Sequence, residues 1–271
     1  MIRTSPTPRP TARGRHRTGL VAAVLGALAT LALPAAADTR PGATFTLGAG
    51  ARVNPSYFGA SRDVAGPTGS FLLHHLRIGD FEIGDPTAEP LRRGFRLGAT
   101  GRYIRGRGAG DNPELAGLDR VDLSVELGVR LRYVGDTWLV FADLRNGVLG
   151  HGGWSGEIGG DALWQVTPNL MLTAGPRAAF GDARFTRTYF GVTAAEANRS
   201  AFTEFRPASG LVSVGAEIGM RLRLDDAWTV IGTVQYDRLR GDAGRSPITA
   251  QGSRDQWGAS LMLTRRFDWR F

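Results

Sequence analysis

The 271-residue chain has no cysteine and no lysine, only four histidines, and a single long apolar run, which lies near its start. Without cysteine there can be no disulfide, thiolate zinc site, iron–sulfur cluster, cysteine nucleophile or lipidated N-terminal cysteine. Hydrophobic residues make up 42% of the chain. With a mean hydropathy of −0.15, that is too polar for a bundle of membrane helices. All 33 basic residues are arginine, set against 25 acidic ones. Codon bias accounts for much of that choice, and arginine also suits ion-paired positions. Glycine is in excess: 38 of 271 residues, roughly twice the usual share.

The apolar run, Leu20–Leu33, follows a stretch carrying Arg3, Arg9, Arg13, Arg15 and Arg17 and no acid. Pro34 and Ala35-Ala36-Ala37 come next, before Asp38. A basic segment, a short apolar segment and small residues describe a cleaved secretory signal over 1–37. The run is 14 residues long, short of the ~20 a spanning helix needs. No Arg-Arg pair precedes it, so the general secretory route is expected. Removing those five arginines takes the net charge from +8 to +3. So small an excess, with no clustering, does not point to a nucleic-acid partner.

Residues 38–271 alternate with period two over long stretches. In 120–135, Val121, Leu123, Val125, Leu127, Val129, Leu131 and Tyr133 point one way, and Arg120, Asp122, Glu126, Arg130 and Arg132 the other. The run 211–224 sets Val212, Val214, Ile218, Met220 and Leu222 against Ser213, Glu217, Arg221 and Arg223. The C-terminal run repeats the pattern to Phe271, whose terminal aromatic reads as a barrel-assembly signal. Soluble strands average ~5–6 residues, whereas apolar-out, charged-in alternation over about ten or more is the pattern of a transmembrane barrel. The expectation is an all-β, up-and-down antiparallel transmembrane barrel with lipid as its outer partner.

Ten strands are expected, at about 43–53, 69–79, 93–103, 120–134, 137–147, 153–166, 169–180, 210–224, 227–238 and 255–271. Gly135-Asp136, Thr167-Pro168 and Asp225-Asp226 make short turns, while 54–68, 104–119, 181–209 and 239–254 are long. Short periplasmic turns and long external loops place both termini in the periplasm. The 80–92 connection is too long for a periplasmic turn and leaves room for twelve strands. Trp138, Trp154, Trp164, Trp228, Trp257 and Trp269 fall near strand ends, as interface girdles require. Lumen-side glycines such as Gly98, Gly159 and Gly175 would make room for opposing Arg and Glu side chains.

Several segments are similar to elements of the MipA/OmpV family (MltA-interacting protein) of outer-membrane proteins. They are Tyr189-Phe190-Gly191-Val192-Thr193, Asn54-Pro55-Ser56-Tyr57-Phe58-Gly59-Ala60, and Arg145 through His151-Gly152-Gly153. Gly175-Pro176-Arg177 and Arg238–Ala243 leading to Ser246-Pro247-Ile248 complete the set, in family order. The resemblance implies an outer-membrane scaffold that joins a lytic murein transglycosylase to a murein synthase, a non-enzymatic role.

Arg120, Asp122, Glu126, Arg130, Arg132, Asp161, Arg177, Glu217, Arg221, Arg223 and Asp237 are expected in the lumen. Mixed signs in near balance suggest a paired network filling a small barrel, though a channel or solute pore would also carry such charges. His151 with nearby Ser155 raises a third reading, a lipid hydrolase, but no acid stands at a telling spacing. His74 and His75 are adjacent and make a poor metal pair, so no metal or cofactor is expected. Thr193-Ala194-Ala195-Glu196 reads as a capping box opening a short helix in the 181–209 loop. That loop could be an external partner surface or a lid over the lumen.

Overall fold

The computed structural model describes residues 41–84 and 91–270. The expected signal peptide, Phe271 and part of the 80–92 connection lie outside them. Strands run Gly42–Pro55 (β1), Asp63–Ile78 (β2), Phe81–Gly84 (β3), Gly94–Ile104 (β4), Ser124–Val134 (β5) and Trp138–Leu149 (β6). They continue as Trp154–Thr167 (β7), Leu170–Gly181 (β8), Gly210–Arg223 (β9), Trp228–Leu239 (β10) and Asp255–Arg270 (β11). All pair antiparallel in one sheet, in the order β3-β2-β1-β11-β10-β9-β8-β7-β6-β5-β4. β3 has four residues; the others have 11 to 16, as in β4 and β2. The ten expected long strands are present, and the 80–92 connection adds only this short eleventh. No helix among the described residues is long and apolar enough to cross a membrane; the crossing is made by strands.

The alternation becomes a barrel wall. Leu127, Val129 and Leu131 of β5, Val140 and Leu144 of β6, and Ile218 of β9 are exposed on the outer face. Glu126, Asp143 and Arg145 are buried on the inner one. This reversal of the soluble pattern is what a hydrocarbon surround demands. Trp138, Trp164 and Trp269 stand near the short-turn end and Trp154 and Trp257 near the long-loop end, all exposed. Tyr133 packs between Phe95 and Trp138 in one girdle, and Tyr236 against Trp257 in the other.

Three departures from the expected strands have local causes. β2 begins at Asp63, six residues early, because Gly66-Pro67-Thr68-Gly69 reads as a turn yet pairs with β1. Proline is tolerated on an edge strand, and above its contact with β3, β2 pairs only with β1. β5 begins at Ser124, which leaves Arg120 and Asp122 outside the strand. Val212 has no partner in β8, where the register shifts between Ala179 and Phe180, and it is buried instead of facing lipid. A bulge re-aims a side chain in this way.

The sheet does not close by hydrogen bonds among the described residues. A seam falls between β2 with β3 on one side and β4 on the other. Side chains bridge its outer end: the Arg62 guanidinium donates to the Asp111 carbonyl and to Asn112 Oδ1, and Tyr57 Oη donates to Glu114 at 3.3 Å. Loop contacts therefore do there what a ladder does elsewhere.

Gly175 shows how close the strands lie. The ladder between β7 and β8 skips this region, Pro176 has no N–H to offer, and the Gly160 carbonyl accepts from Arg177 Nη1 at 3.2 Å. A Cβ on Gly175 would lie 1.7 Å from that carbonyl oxygen, whereas one on Gly98 would meet nothing within 4 Å. Gly175→Val is expected to abolish the heat-modifiable folded band on electrophoresis, while Gly98→Ala leaves it intact. Equal yields of folded barrel from both would contradict this packing.

Candidate functional site: the filled lumen and its cap

The lumen is filled in layers. At the short-turn end Val134, Leu139 and Leu163 form an apolar cluster with Phe141 and Leu91. Above it stand two ion-pair groups. In one, Arg177 of β8 holds Asp161 of β7 at 2.8 Å and Glu217 of β9 at 3.1 Å. In the other, Arg130 of β5 grips Asp143 of β6 through two nitrogens at 2.5 and 2.6 Å, and Arg145 joins the same carboxylate at 2.5 Å. Phe141 bridges the groups, with the Arg130 and Arg177 guanidinium carbons 4.7 and 5.1 Å from its ring centre. These stacked contacts are attractive and occupy the bore.

Glu126 of β5 is fully buried and gathers the most partners. Arg102 of β4 binds it in a fork at 2.7 and 3.0 Å, Ser155 of β7 donates at 2.9 Å, and Arg145 Nε lies 3.4 Å away. His151, in the β6–β7 turn, sits 3.0 Å from it through Nε2. The His151 Nδ1 accepts from the Gly153 N–H at 3.0 Å, so Nε2 carries the proton and donates to Glu126. Ser155 thus directs its hydroxyl hydrogen to Glu126, and His151 has no free nitrogen to serve as a base. The pair is not arranged for nucleophilic catalysis.

The long loops fold into a cap over this end. Asp182 N-caps an eight-residue helix, α1 (Ala183–Phe190), by accepting from the Phe185 N–H at 2.7 Å. Phe185 and Tyr189, one turn apart, pack down on His151, and the Tyr189 hydroxyl donates to Ser124 at 2.9 Å. Helix α2 (Ala194–Ala197) opens with the expected capping box on Thr193 and Glu196. Helices α3 (Gly241–Arg245) and α4 (Pro247–Gln251) follow in the β10–β11 loop. Two apolar clusters knit the loops together, one around Phe185, Phe190, Val212 and Leu239, the other around Tyr57, Leu115, Val192 and Ile248.

Three of the five family-like segments meet in this cap, and His151 of a fourth packs beneath it; Gly175-Pro176-Arg177 lies in β8. Ser246 Oγ donates to the Phe190 carbonyl at 2.7 Å, and Pro247 opens α4. Gly191 closes α1 where a Cβ would strike the Arg187 carbonyl. Gly59, at φ +93°, lies where a Cβ would meet Thr249 at 2.8 Å, and its N–H donates to Gln256 at 2.9 Å. Pro55 ends β1, and Asn54 beside it lies over Gly258. Burial and the Glu114 carboxylate push the buried Tyr57 hydroxyl up to about 12. It stays protonated as a donor.

The expected lumen residues do not all belong there. Glu126, Arg130, Asp161, Arg177 and Glu217 are the pairs just described. Asp237 accepts from Gln235 at 2.5 Å and from Ser213 at 3.4 Å. Arg132 and Arg221 are partly buried on the strand face they were expected to occupy. Arg120 and Asp122 are exposed in the β4–β5 loop and pair with each other at 3.2 Å; the strand starts after them. Arg223 is exposed at the end of β9, where it donates to Asn169 in the short β7–β8 turn at 3.3 Å. Arg102, Asp143, Arg145 and Glu157 were missed as network members, although alternation extended through β4, β6 and β7 would have put them on the lumen face, where Arg102 lies opposite Glu126 and Asp143 opposite Arg130. His74 bonds Thr46 and His75 bonds Glu82, each at 2.8 Å. The described residues hold no group of three or more metal-ligating side chains.

A cavity of about 350 Å³ remains beneath the cap. Five arginines, Arg52, Arg102, Arg105, Arg107 and Arg177, line it against two carboxylates, Glu157 and Asp237.

An up-and-down antiparallel sheet with an apolar exterior, a charged interior and a folded external cap defines a membrane-spanning β-barrel protein. The family model described as MltA-interacting protein MipA matches residues 47–267, and the chain belongs to that family. A comparison with curated proteins finds no match. Among solved structures, Neisserial surface protein A is 6% identical, with 83% of this chain and 97% of that one covered and a TM-score of 0.30. The outer-membrane channel DcaP of Acinetobacter baumannii gives 10%, 83%, 96% and 0.36 for the same measures. Ail, the attachment invasion locus protein of Yersinia pestis, gives 9%, 86%, 100% and 0.25.

Removing one side of a buried ion pair costs about 3–5 kcal/mol, because the partners remain buried and charged. Glu126→Ala strands Arg102 and leaves His151 and Ser155 without their acceptor, and is expected to lower stability by that amount in denaturant titrations in detergent micelles; a loss below 1 kcal/mol would mean the pairs are solvent-screened.

The cap should respond to acid. Burial raises the Glu196 carboxyl, but hydrogen bonds from the Thr193 and Asp119 N–H groups outweigh it and hold it below the usual range. Asp242 is lowered by the Ala208 N–H and by Arg245. Groups with depressed folded values contribute fully above their unfolded pKa, about 4, and lose that contribution as pH falls through the folded one. Protection factors across 181–209, measured against the intrinsic exchange rate at each pH, should hold from neutral pH down to about pH 4 and fall only below it; a fall in protection near neutrality would contradict this assignment.

Proposed function

We propose that the protein is exported by a cleaved signal and embedded in the bacterial outer membrane. There it acts without catalysis, as a scaffold that holds a lytic murein transglycosylase and, through it, a murein synthase. Membership of a family described by its interaction with MltA carries this reading. The layered lumen and the cap support a barrel that works through its surfaces and not as a solute pore. The arrangement of Ser155 and His151 gives the lipid-hydrolase alternative no support.

A murein partner must reach the short-turn rim. That rim offers Gly79-Asp80, Gly135–Thr137, Pro168-Asn169 and Leu224–Ala227, with Asp136 paired to Arg93 at 2.8 Å and largely exposed. A photocrosslinking residue placed in cells at Asp136, Asn169 or Asp226 is expected to capture a murein transglycosylase. The same residue at Arg120, in the external loop, should capture none. If the rim positions capture no murein enzyme, the scaffold reading fails.

A further inference from the structure

The cavity under the cap has chemistry that a scaffold does not need. Arg107 follows β4 and is 6% exposed. One of its nitrogens, Nη2, reaches the Thr188 carbonyl at 3.4 Å, while the other, Nη1, is buried with no hydrogen-bond partner. Its guanidinium carbon lies 5.8 Å from the Tyr57 ring centre. Arg107 lines the cavity, and a buried, unsatisfied guanidinium nitrogen is costly unless an acceptor reaches it. Burial pulls this group down only to about 10, so it is a cation at neutral pH.

The neighbouring charges reinforce the case. Arg102 is neutralised by Glu126 and Arg177 by Asp161 and Glu217. Arg52 lies over the Tyr103 ring at 5.7 Å, and neither it nor Arg105 has a carboxylate partner among the described residues. On the acidic side, Glu157 lies 3.4 Å from Arg145, which leaves Asp237 against three arginines. Apart from the uncharged polar Asn54, Ser56, Ser213, Gln235 and Gln256, the rest of the wall is apolar, with Phe58 packed on Tyr189 at 5.1 Å and Phe185 and Ile104 beside them. The volume is at the small end of those that hold ligands.

The cavity also reaches the seam. Val64 and Gly66 of β2 line one side, and Tyr103 and Arg105, at the end of β4, line the other. A Cβ on Gly66 would lie 3.1 Å from an Arg105 nitrogen, so at this height the Arg105 side chain, and no backbone ladder, stands between the two strands. Above its contact with β3, β2 is an edge strand carrying Pro67. Unpaired backbone along such an edge is expensive in hydrocarbon and favours an occupant with a polar head.

We propose that this cavity binds a single-chain anionic amphiphile, its carboxylate or phosphate head against Arg107, Arg105 and Arg52 and its alkyl chain leaving through the β2–β4 seam into the membrane. The anion completes the Arg107 donor set, and charge-assisted bonds of this kind are the strong ones. The site is independent of any murein partner.

The test is competition against radiolabelled palmitate with the full mature chain folded in nanodiscs. Palmitate, hexadecyl phosphate, hexadecanol and hexadecyltrimethylammonium serve as competitors. At least one of the two anions is expected to compete about tenfold better than the alcohol or the cation. Comparing the two anions then tells a carboxylate ligand from a phosphate one. Arg107→Gln is expected to weaken palmitate binding about tenfold and leave hexadecanol unchanged. Should that variant fail to fold, Arg105→Gln at the rim and the wild-type head-group series still decide. Equal competition by hexadecanol, or unchanged palmitate binding in a folded Arg107→Gln barrel, would overturn the proposal.

Discussion

The Glu126 carboxylate is the interaction on which the rest of the structure depends. It is fully buried, and Arg102 on β4, Arg145 on β6 and Ser155 on β7 converge on it. One side chain thereby fixes the mutual position of four consecutive strands. Its hydrogen bond with His151 ties in the β6–β7 turn, and Ser124, two residues along β5, receives the Tyr189 hydroxyl of the cap. A charge removed from water must be paired or its burial is prohibitive. The barrel interior is therefore specified by ion pairing in the way a soluble core is specified by apolar packing.

The cap answers a different constraint. Among the described residues the sheet leaves a seam beside β4, and edges in hydrocarbon are costly. The loops after β1 and β4 cross that seam through Tyr57–Glu114 and Arg62–Asn112, while α1 and the β10–β11 loop clamp them from above. Motif segments scattered along the chain thus converge on one small assembly, so their spacing reflects the folding of the cap. Its two apolar clusters give the external loops an order that their polar, glycine-rich composition does not suggest.

Much of this was legible in the sequence because a barrel writes its two solvents into alternate residues. The ten long strands, the short turns, the girdle tryptophans and the charges at 126, 130, 161, 177 and 217 all follow from period two. Where that rule ends, so does legibility. Arg120 and Asp122 continue the alternation without belonging to the strand, because a loop that exits along the strand direction keeps its phase. Arg223 lies one residue beyond the lumen and serves a turn. Val212 is turned inward by a bulge that no pattern announces. Asp143 and Arg102 were readable in principle, but only by laying neighbouring strands in register. The α1 helix and the cap clusters rest on contacts between distant loops, which have no local period; of that region only the Thr193–Glu196 capping box carries a local signature.

The lumen and the cap together describe a barrel whose bore is closed by its own side chains. Its interior is filled from the apolar layer at Leu139 and Leu163 up to the aromatic layer at Phe185 and Tyr189, apart from the cavity of about 350 Å³ under the cap. The most direct measurement is single-channel recording of the full, folded chain in planar bilayers. The account predicts no steady openings across the voltage range in which the barrel is intact. Sustained ohmic openings in homogeneous, folded protein would contradict it.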